Sequence, residues 1–223
     1  MGDAARIAFW IFALAAGLVT CAVLRRSGAP AERVRDLLHV GAGIWVLGWP
    51  AWTSPVPPAA LAAAVAAGML VVPLLARRWR PAEGLLASVT GGGEGWSGVA
   101  LYGVAFAAFT WLGLVRGPAF PAGAGLLALA LGDGLGGAVG RRVGRHRVTA
   151  PFAKSRSHEG SAAVSVLATA GVALAAVLLG ARPGAAAVAL AGLAAGAAEA
   201  VAPRASDNAL VPIAVYAVLS AMR

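Results

Sequence analysis

Residues 132–161 read GDGLGGAVGRRVGRHRVTAPFAKSRSHEGS and stand between two apolar runs of the chain. The stretch opens with an aspartate, Asp133, at the end of the first run and closes on Glu159 just before the second run. Between them it carries six cationic side chains: Arg141, Arg142, Arg145, Arg147, Lys154 and Arg156. One aspartate, many cations and little side-chain bulk suit a metal ion and a polyphosphate, so the stretch predicts such a site at a membrane surface.

The composition of the whole chain excludes an ordinary soluble domain. Of its 223 residues, 60% are hydrophobic and 12% are charged, whereas soluble domains are about a quarter charged. The net charge of +9 would suit nucleic acid. However, the arginines fall in short loops between apolar runs, where topology and contacts with lipid or phosphate explain them better. We therefore expect a membrane protein without a nucleic-acid partner, built as a single membrane domain over residues 1–223.

Eight apolar runs predict the fold. Backbone polar groups in lipid must be satisfied within their own segment, so each run predicts a helix. The period-two alternation of barrel strands is absent from the sequence. We expect an all-α, polytopic membrane bundle of about eight transmembrane helices. The runs cover residues 7–24, 39–53, 59–76, 98–115, 119–139, 161–179, 185–202 and 209–222.

The distribution of positive charge predicts the orientation of this bundle. The first, third, fifth and seventh connections hold fourteen of the eighteen Arg and Lys residues. Connections rich in these residues lie in the cytoplasm under the positive-inside rule. We therefore expect the polar motifs to face the cytoplasm, where nucleoside triphosphates are found, and both termini to lie on the opposite side.

Glycines recur every four residues in the central stretch, at positions 132, 136, 140 and 144. The simplest interpretation is a ridge along which two membrane helices pack closely. Asp133, Gly137 and Arg141 share one face of the same helix, where glycine would leave room for a cation and a phosphate. An aspartate at this depth costs about 2.5–3.5 kcal/mol on insertion scales. Either a function or a buried arginine partner must offset that cost.

Further carboxylates lie near the same ends of the last two runs. Glu199 is the only charge in its run, and no capping role explains it. Asp207 and Asn208 precede the final run, where helix capping would explain them, with Pro212 in the first turn. Asp207 is therefore either a cap or a site residue.

Two more segments contain candidate residues. Arg35 and His39 lie at the start of the second run, where a polar anchor is the simpler interpretation of the histidine. Glu94, before the fourth run, is either a polar loop residue or a further ligand. His146 and His158 lack the spacing of zinc ligands, so we do not expect zinc.

Taken in order, these residues resemble the polyprenol kinase family, which includes phytol, farnesol and dolichol kinases and a related CTP-dependent diacylglycerol kinase. The resemblance spans most of the chain. Two positions depart from the family pattern: Asp36 stands where a lysine follows Arg35, and Arg156 stands where a lysine usually precedes Ser157. The elements that carry the resemblance are Arg35 with His39, GDG at 132–134 with VGRRVGRHR at 139–147, SHEGS at 157–161, and Glu199 followed by DNALVP at 207–212.

The resemblance implies a kinase that uses CTP, or another nucleoside triphosphate, to phosphorylate a prenyl alcohol at the cytoplasmic rim of the membrane. It implies Asp133, Glu199 and Asp207 as catalytic residues, with Asp207 or Glu199 accepting the alcohol proton. Mg²⁺ would be held by Asp133 together with Glu159 or Asp207. The implied nucleotide and phosphate contacts are Gly134, Gly137, Arg141, Arg145, Lys154, Arg156, Ser157, Glu159, Gly160 and Asn208, with Arg35 and His39 as further site residues. Glu94 is a further candidate from the residue pattern alone.

Two alternatives stay open. A CTP-dependent lipid cytidylyltransferase acting on phosphatidate or a prenyl phosphate would use the same metal and the same cations. A transporter or lipid-binding membrane protein would place charges at mid-membrane and on both sides. In this sequence the charges gather at one rim, which counts against transport.

Overall fold

The computed structural model describes residues 2–76, 78, 95–148, 156–203 and 205–222. In these residues the chain forms nine α-helices, and β structure is limited to an isolated bridge between Arg147 and Ser157. Three short segments interrupt or extend the helices: a 3-10 turn at Trp49–Ala51 and π-helical turns at Leu112–Arg116 and Gly132–Gly136. The helices are α1 Asp3–Arg26, α2 Ala31–Leu47, α3 Val56–Ala76, α4 Gly95–Trp111, α5 Ala119–Leu131, α6 Gly137–Val143, α7 His158–Leu178, α8 Ala185–Val201 and α9 Asp207–Ala221.

The prediction of a helical fold is confirmed, because each apolar run of the sequence falls on a helix. Four of the helical stretches described are long and apolar enough to cross a membrane: Asp3–Arg26, Trp96–Arg116, Ala119–Val143 and His158–Leu178. Shorter apolar helices cover Val56–Val72, Ala185–Val201 and Asp207–Ala221. A bundle with eight membrane crossings stays a prediction.

Helix α2 differs from its predicted bounds. The apolar run begins at residue 39, but the helix begins at Ala31 and ends at Leu47, followed by the 3-10 turn at Trp49–Ala51. Hydropathy misses the first turns because they contain charged residues. One of these, Asp36, is buried, and its carboxylate pairs with Arg141 of α6, which compensates its charge. The extra turns bring charged side chains of α2 close to the central stretch.

Helix α5 lies at the centre of the bundle. All its residues from Pro121 to Ala130 are buried. Leu126, Leu127 and Leu129 belong to one hydrophobic cluster with valines of α2, α7 and α9. Such a helix is apolar on every side because it has neighbours on every side. Its C-terminal end therefore delivers Asp133 to a place enclosed by other helices.

The glycine ridge packs against α7, as the simplest interpretation of its spacing predicts. A Cβ atom on Gly136 would lie 2.6 Å from Val164 Cγ2, and one on Gly140 would lie 2.9 Å from Gly160 Cα. Side chains at these positions would push the helices apart, so glycine is required for the close approach. The ridge and the face that bears Asp133 thus serve different purposes.

Candidate active site

A cavity of about 960 Å³ opens among the helices. Its larger part, here the apolar body, is lined by side chains of α1 to α4 such as Leu14, Leu18, Ala42, Val65 and Phe106. Its other part, here the polar end, is lined by the carboxylates Asp133, Glu199 and Asp207, by Asn208 and Ser157, and by Arg35, Arg141, Arg147 and Arg156. A single cavity therefore joins an apolar chamber to a charged one.

Arg156 holds two carboxylates in the polar end. Its Nη1 donates to Glu199 Oε1, and its Nη2 donates to Asp207 Oδ2. Burial lowers the pKa of Arg156, but the charges of Asp207 and Glu199 outweigh this and raise it above its ordinary value. The guanidinium therefore stays charged, and its planar fork explains why arginine stands where the family pattern has lysine.

Glu199 is almost fully buried, with 4% of its surface exposed. Its second oxygen, Oε2, accepts a hydrogen bond of 2.7 Å from Ser161 Oγ. Both carboxylate oxygens therefore have donors, which explains how a lone charge is tolerated in an apolar helix.

Asp207 is not the N-cap of α9. The helix begins at Asp207 itself, and Ser206 occupies the cap position without a side-chain capping bond. Asp207 Oδ1 accepts from the backbone N–H of Asn208 at 2.9 Å, while Oδ2 contacts Arg156. Pro212 consequently falls at the sixth residue of the helix rather than in its first turn, so the capping interpretation was wrong on both points.

His39 links Asp133 to Asn208. Its Nε2 lies 3.3 Å from Asp133 Oδ2 and 3.3 Å from Asn208 Oδ1, and its Nδ1 lies 3.1 Å from the carbonyl oxygen of Arg35. Asn208 Nδ2 donates to the carbonyl of Gly98 at 3.2 Å, which orients the amide. The histidine is therefore not an isolated polar anchor, because it contacts two of the predicted site residues.

Asp133 lies on the π-helical turn Gly132–Gly136. Besides contacting His39, it interacts electrostatically with Asp207, Arg35 and Arg156. The arginines offset part of the cost of burying it, while the nearby Asp207 adds a second negative charge. Two carboxylates that repel each other favour a bound cation nearby.

Arg141 lines the polar end and pairs with Asp36. Gly137 leaves space for it, because a Cβ atom there would lie 3.3 Å from Arg141 Nη1. Gly134 instead faces α2, where a Cβ atom would lie 2.9 Å from Val40 Cγ2. Sequence reasoning noted Asp36 as a departure from the family and did not include it in the site. Its position three residues before His39, on the same helix face, is a signal that could have found it.

Glu159 lies outside the cavity lining among the described residues. Its carboxylate accepts from the backbone N–H groups of Arg145 and His146, and His146 Nδ1 lies 2.5 Å from Oε1. These contacts secure the turn that follows α6. Ser157 and Gly160 do line the cavity, and the Ser157 hydroxyl caps α7 by accepting from Gly160 N at 3.1 Å.

Two sequence candidates, Glu94 and Lys154, lie outside the described residues. Among the residues that are described, no group of three or more His, Cys, Asp or Glu side chains is arranged to hold a metal ion. Mg²⁺ sites built from one or two carboxylates, with waters and phosphate oxygens completing the shell, do not need such a group. Asp133 and Asp207 fit that arrangement.

Comparison with known proteins gives one informative relative. No family model matches the chain, and no solved structure matches it. Phytol kinase from Synechocystis sp. is 36% identical over 160 residues, which make up 66% of this chain and 60% of that protein. The chain therefore spans less than two thirds of the length of this relative.

Proposed function

We propose that this chain belongs to the polyprenol kinase family, a proposal that its similarity to phytol kinase supports. From this premise we propose that the chain transfers the γ-phosphoryl group of a nucleoside triphosphate, CTP in the first place, to the hydroxyl group of a prenyl alcohol. The observation that carries the proposal is the single cavity in which an apolar body opens into a polar end with carboxylates and arginines. The acceptor is apolar and the donor is charged, and the cavity offers each a matching surface.

The alcohol tail occupies the apolar body, and its hydroxyl group lies where the two parts of the cavity meet. His39 and Tyr102 mark this junction, with ring centroids 4.5 Å apart, and both line the cavity. Asp133 is in contact with His39. The hydroxyl group would therefore lie beside the carboxylates while the tail stays out of water.

The triphosphate lies at the polar end. Arginines suit phosphate oxygens because the guanidinium fork can form two parallel hydrogen bonds. Arg141, Arg147 and Arg156 line this end. The first turns of α7 and α9 contribute Ser157, Gly160 and Asn208 to the same surface, and helix N-termini favour negative charge. Phosphoryl transfer depends mainly on such positioning and charge neutralisation.

Asp133 and Asp207 would hold Mg²⁺. When bound, the ion would neutralise negative charge on the phosphate oxygens of the donor. The protein's own part is to hold two carboxylates on one side of the polar end, His39 orienting Asp133 and Arg156 orienting Asp207. Glu159, the other ligand that the family resemblance implies, is engaged with the turn after α6 and is the weaker candidate.

The reaction forms one bond between the alcohol oxygen and the γ-phosphorus and breaks the bond between that phosphorus and the bridging oxygen, which leaves with the nucleoside diphosphate. The hydroxyl proton passes to a carboxylate and then to solvent. Both oxygens of Glu199 accept hydrogen bonds from Arg156 and Ser161. Both oxygens of Asp207 also accept hydrogen bonds, from the backbone N–H of Asn208 and from Arg156, so either carboxylate can take the proton.

Transfer of label from CTP in the presence of Mg²⁺ tests this proposal. We expect ³²P from the γ position to enter prenyl alcohols, and Asp133→Asn to lower kcat/KM by about 10²-fold or more. Asp3→Asn is the matched control, because Asp3 pairs with Arg6 and Thr53 far from the polar end, and it should retain wild-type activity.

Three results would contradict the proposal. Label that enters lipid from the α position, with phosphatidate or a prenyl phosphate as acceptor, would identify a cytidylyltransferase. Full activity in Asp133→Asn would remove the polar end from the mechanism. No transfer from CTP, ATP, GTP or UTP to any acceptor would favour transport or lipid binding.

A further inference from the structure

The apolar body of the cavity is lined by residues of four helices, α1 to α4. Its lining residues farthest from the polar end are Trp10 on α1, Trp45 on α2, Leu61 on α3 and Phe106 on α4. Three of these four side chains are aromatic. These four side chains, here the floor, mark the end of the lining that lies opposite His39 and Asp133.

Contacts between the two tryptophans make the floor continuous. The rings of Trp10 and Trp45 lie with centroids 5.0 Å apart at an interplanar angle of 73°, which is a favourable edge-to-face contact. Trp45 Nε1 donates to Thr110 Oγ1 at 3.0 Å, which fixes this ring against α4. Trp10 also lies against Gly48, where a Cβ atom would come within 3.0 Å of Trp10 Cε2.

The two tryptophans differ in how the rest of the fold depends on them. Trp45 belongs to the buried hydrophobic cluster with α5, whereas Trp10 packs on that cluster from outside. The one buried residue of α1 is Cys21. Substitution of Trp10 should therefore open the floor with little change to the core, while substitution of Trp45 would disturb it.

The depth of the body follows from helix geometry. Trp45 comes six residues after His39 on α2, so the floor lies about 9 Å farther along the helix axis. The wall between them is apolar, and a chamber of this kind accepts the tail of a ligand and rejects charged groups. A tail that enters from the polar end must stop, fold back or leave the body when it reaches the floor.

We propose that the floor limits the length of the alcohol tail, and that Trp10 is its specificity-determining residue. This inference rests on the proposed function, since it takes a prenyl alcohol as the ligand of the body. An alcohol whose tail ends at the floor gains full burial. Each additional isoprene unit must displace the Trp10 ring or leave the cavity, and the rate falls.

Alcohols of increasing length test the inference. We measure kcat/KM for the 10-, 15-, 20- and 30-carbon prenyl alcohols with wild type, Trp10→Ala and Trp10→Leu, and equilibrium binding of the same radiolabelled alcohols to the proteins in lipid nanodiscs. In Trp10→Ala we expect the ratio of kcat/KM for the longest alcohol to that for the shortest to rise about tenfold. The limit in binding should shift by at least one isoprene unit, with a smaller shift in Trp10→Leu.

Phe12→Ala is the control variant. Phe12 lies on the same helix, is 72% exposed and does not line the cavity, so the length profile should equal that of wild type. A thermal melt of each variant shows that it is folded, and Trp10→Leu replaces Trp10→Ala if the latter is not.

The outcomes separate this inference from the proposed function. If wild type and both Trp10 variants phosphorylate alcohols up to the same length limit, the inference about the floor is wrong and the proposed kinase activity stands. If the length limit for binding shifts in the Trp10 variants but no alcohol is phosphorylated, the inference about the floor stands and the proposed kinase activity is wrong. If the protein neither binds nor phosphorylates any of the alcohols, both the inference about the floor and the proposed function are wrong.

Discussion

Arg156 shows how one residue can organise the polar end. It contacts Glu199 and Asp207 at once, and these carboxylates come from two different helices. A lysine carries one compact ammonium group, whereas a guanidinium presents five donors in a planar fork. The arginine therefore fixes α8 and α9 in the arrangement that places Asp207 at the cavity. Its charge also remains available to a phosphate on the open side.

Asp36 has a similar role for a second arginine. Its buried carboxylate pairs with Arg141, whose side chain lines the polar end. We predict that Asp36→Asn raises the KM for the nucleoside triphosphate about tenfold, because a charge-assisted hydrogen bond that fixes the guanidinium is lost. The kcat should change by less than about twofold, since Asp36 acts through Arg141.

Steady-state kinetics with CTP as the varied substrate measure this effect. Asp36→Glu should restore a KM near that of wild type, because it returns the carboxylate. An unchanged KM in Asp36→Asn would show that Arg141 does not depend on this pair.

At the scale of elements, the glycine ridge controls how closely α6 approaches α7. A Cβ atom on Gly140 would lie 2.9 Å from Gly160 Cα, which is backbone and cannot turn aside. We predict that Gly140→Ala lowers the free energy of unfolding by about 1–3 kcal/mol, the usual cost of overpacking, and lowers activity by displacing Ser157 and Gly160.

Gly68→Ala is the matched control for this substitution. A Cβ atom on Gly68, in α3, meets nothing within 4 Å, so alanine should be neutral or stabilise by up to about 1 kcal/mol. Thermal unfolding in detergent compares the two variants. Equal stability of Gly140→Ala and wild type would mean that the two helices are not held this closely.

The helices could be predicted from the sequence to a greater extent than the site. Apolar runs predict helices because a backbone in an apolar surrounding must satisfy its own hydrogen bonds. The hydropathy pattern missed the first turns of α2, because their charges are balanced by residues far away in the chain. The partners Asp36 and Arg141 are 105 positions apart, and His39 and Asn208 are 169 apart. A single sequence contains no signal for such pairings.

The polar residues that line the cavity could be picked out from the sequence more readily than the contacts they make. Asp133, Glu199, Asp207 and His39 all line the cavity, because each is a polar residue where an apolar run makes it costly. Glu159 was equally conspicuous, yet it secures a local turn. The tryptophans of the floor gave no signal, since aromatic residues are common in any apolar helix.

At the scale of the whole molecule, the contacts between connections divide the bundle into two ends, and its orientation in the membrane stays a prediction. Asp3, at the start of α1, accepts hydrogen bonds from the backbone and hydroxyl of Thr53, in the connection between α2 and α3. The polar end gathers residues from the opposite ends of α2, α8 and α9. The charge distribution predicts that this second group faces the cytoplasm.

Cysteine accessibility in intact cells tests the orientation. In a Cys21→Ser background, we predict that Ala51→Cys reacts with a membrane-impermeant maleimide and that Ser27→Cys reacts only after permeabilisation. Both positions are exposed, and they lie in successive connections. Reaction of both from the same side would contradict the predicted topology, and the reverse pattern would invert it.

The central claim is that one cavity brings a prenyl alcohol and a nucleoside triphosphate together for transfer of the terminal phosphoryl group. Identification of both products of a single reaction with CTP, Mg²⁺ and a prenyl alcohol tests it most directly. The account predicts CDP and the alcohol monophosphate in equal amounts, and a kcat/KM for their formation that Asp133→Asn lowers by about 10²-fold or more. Release of pyrophosphate with a cytidylyl lipid, or formation of CDP without a phosphorylated alcohol, would contradict it.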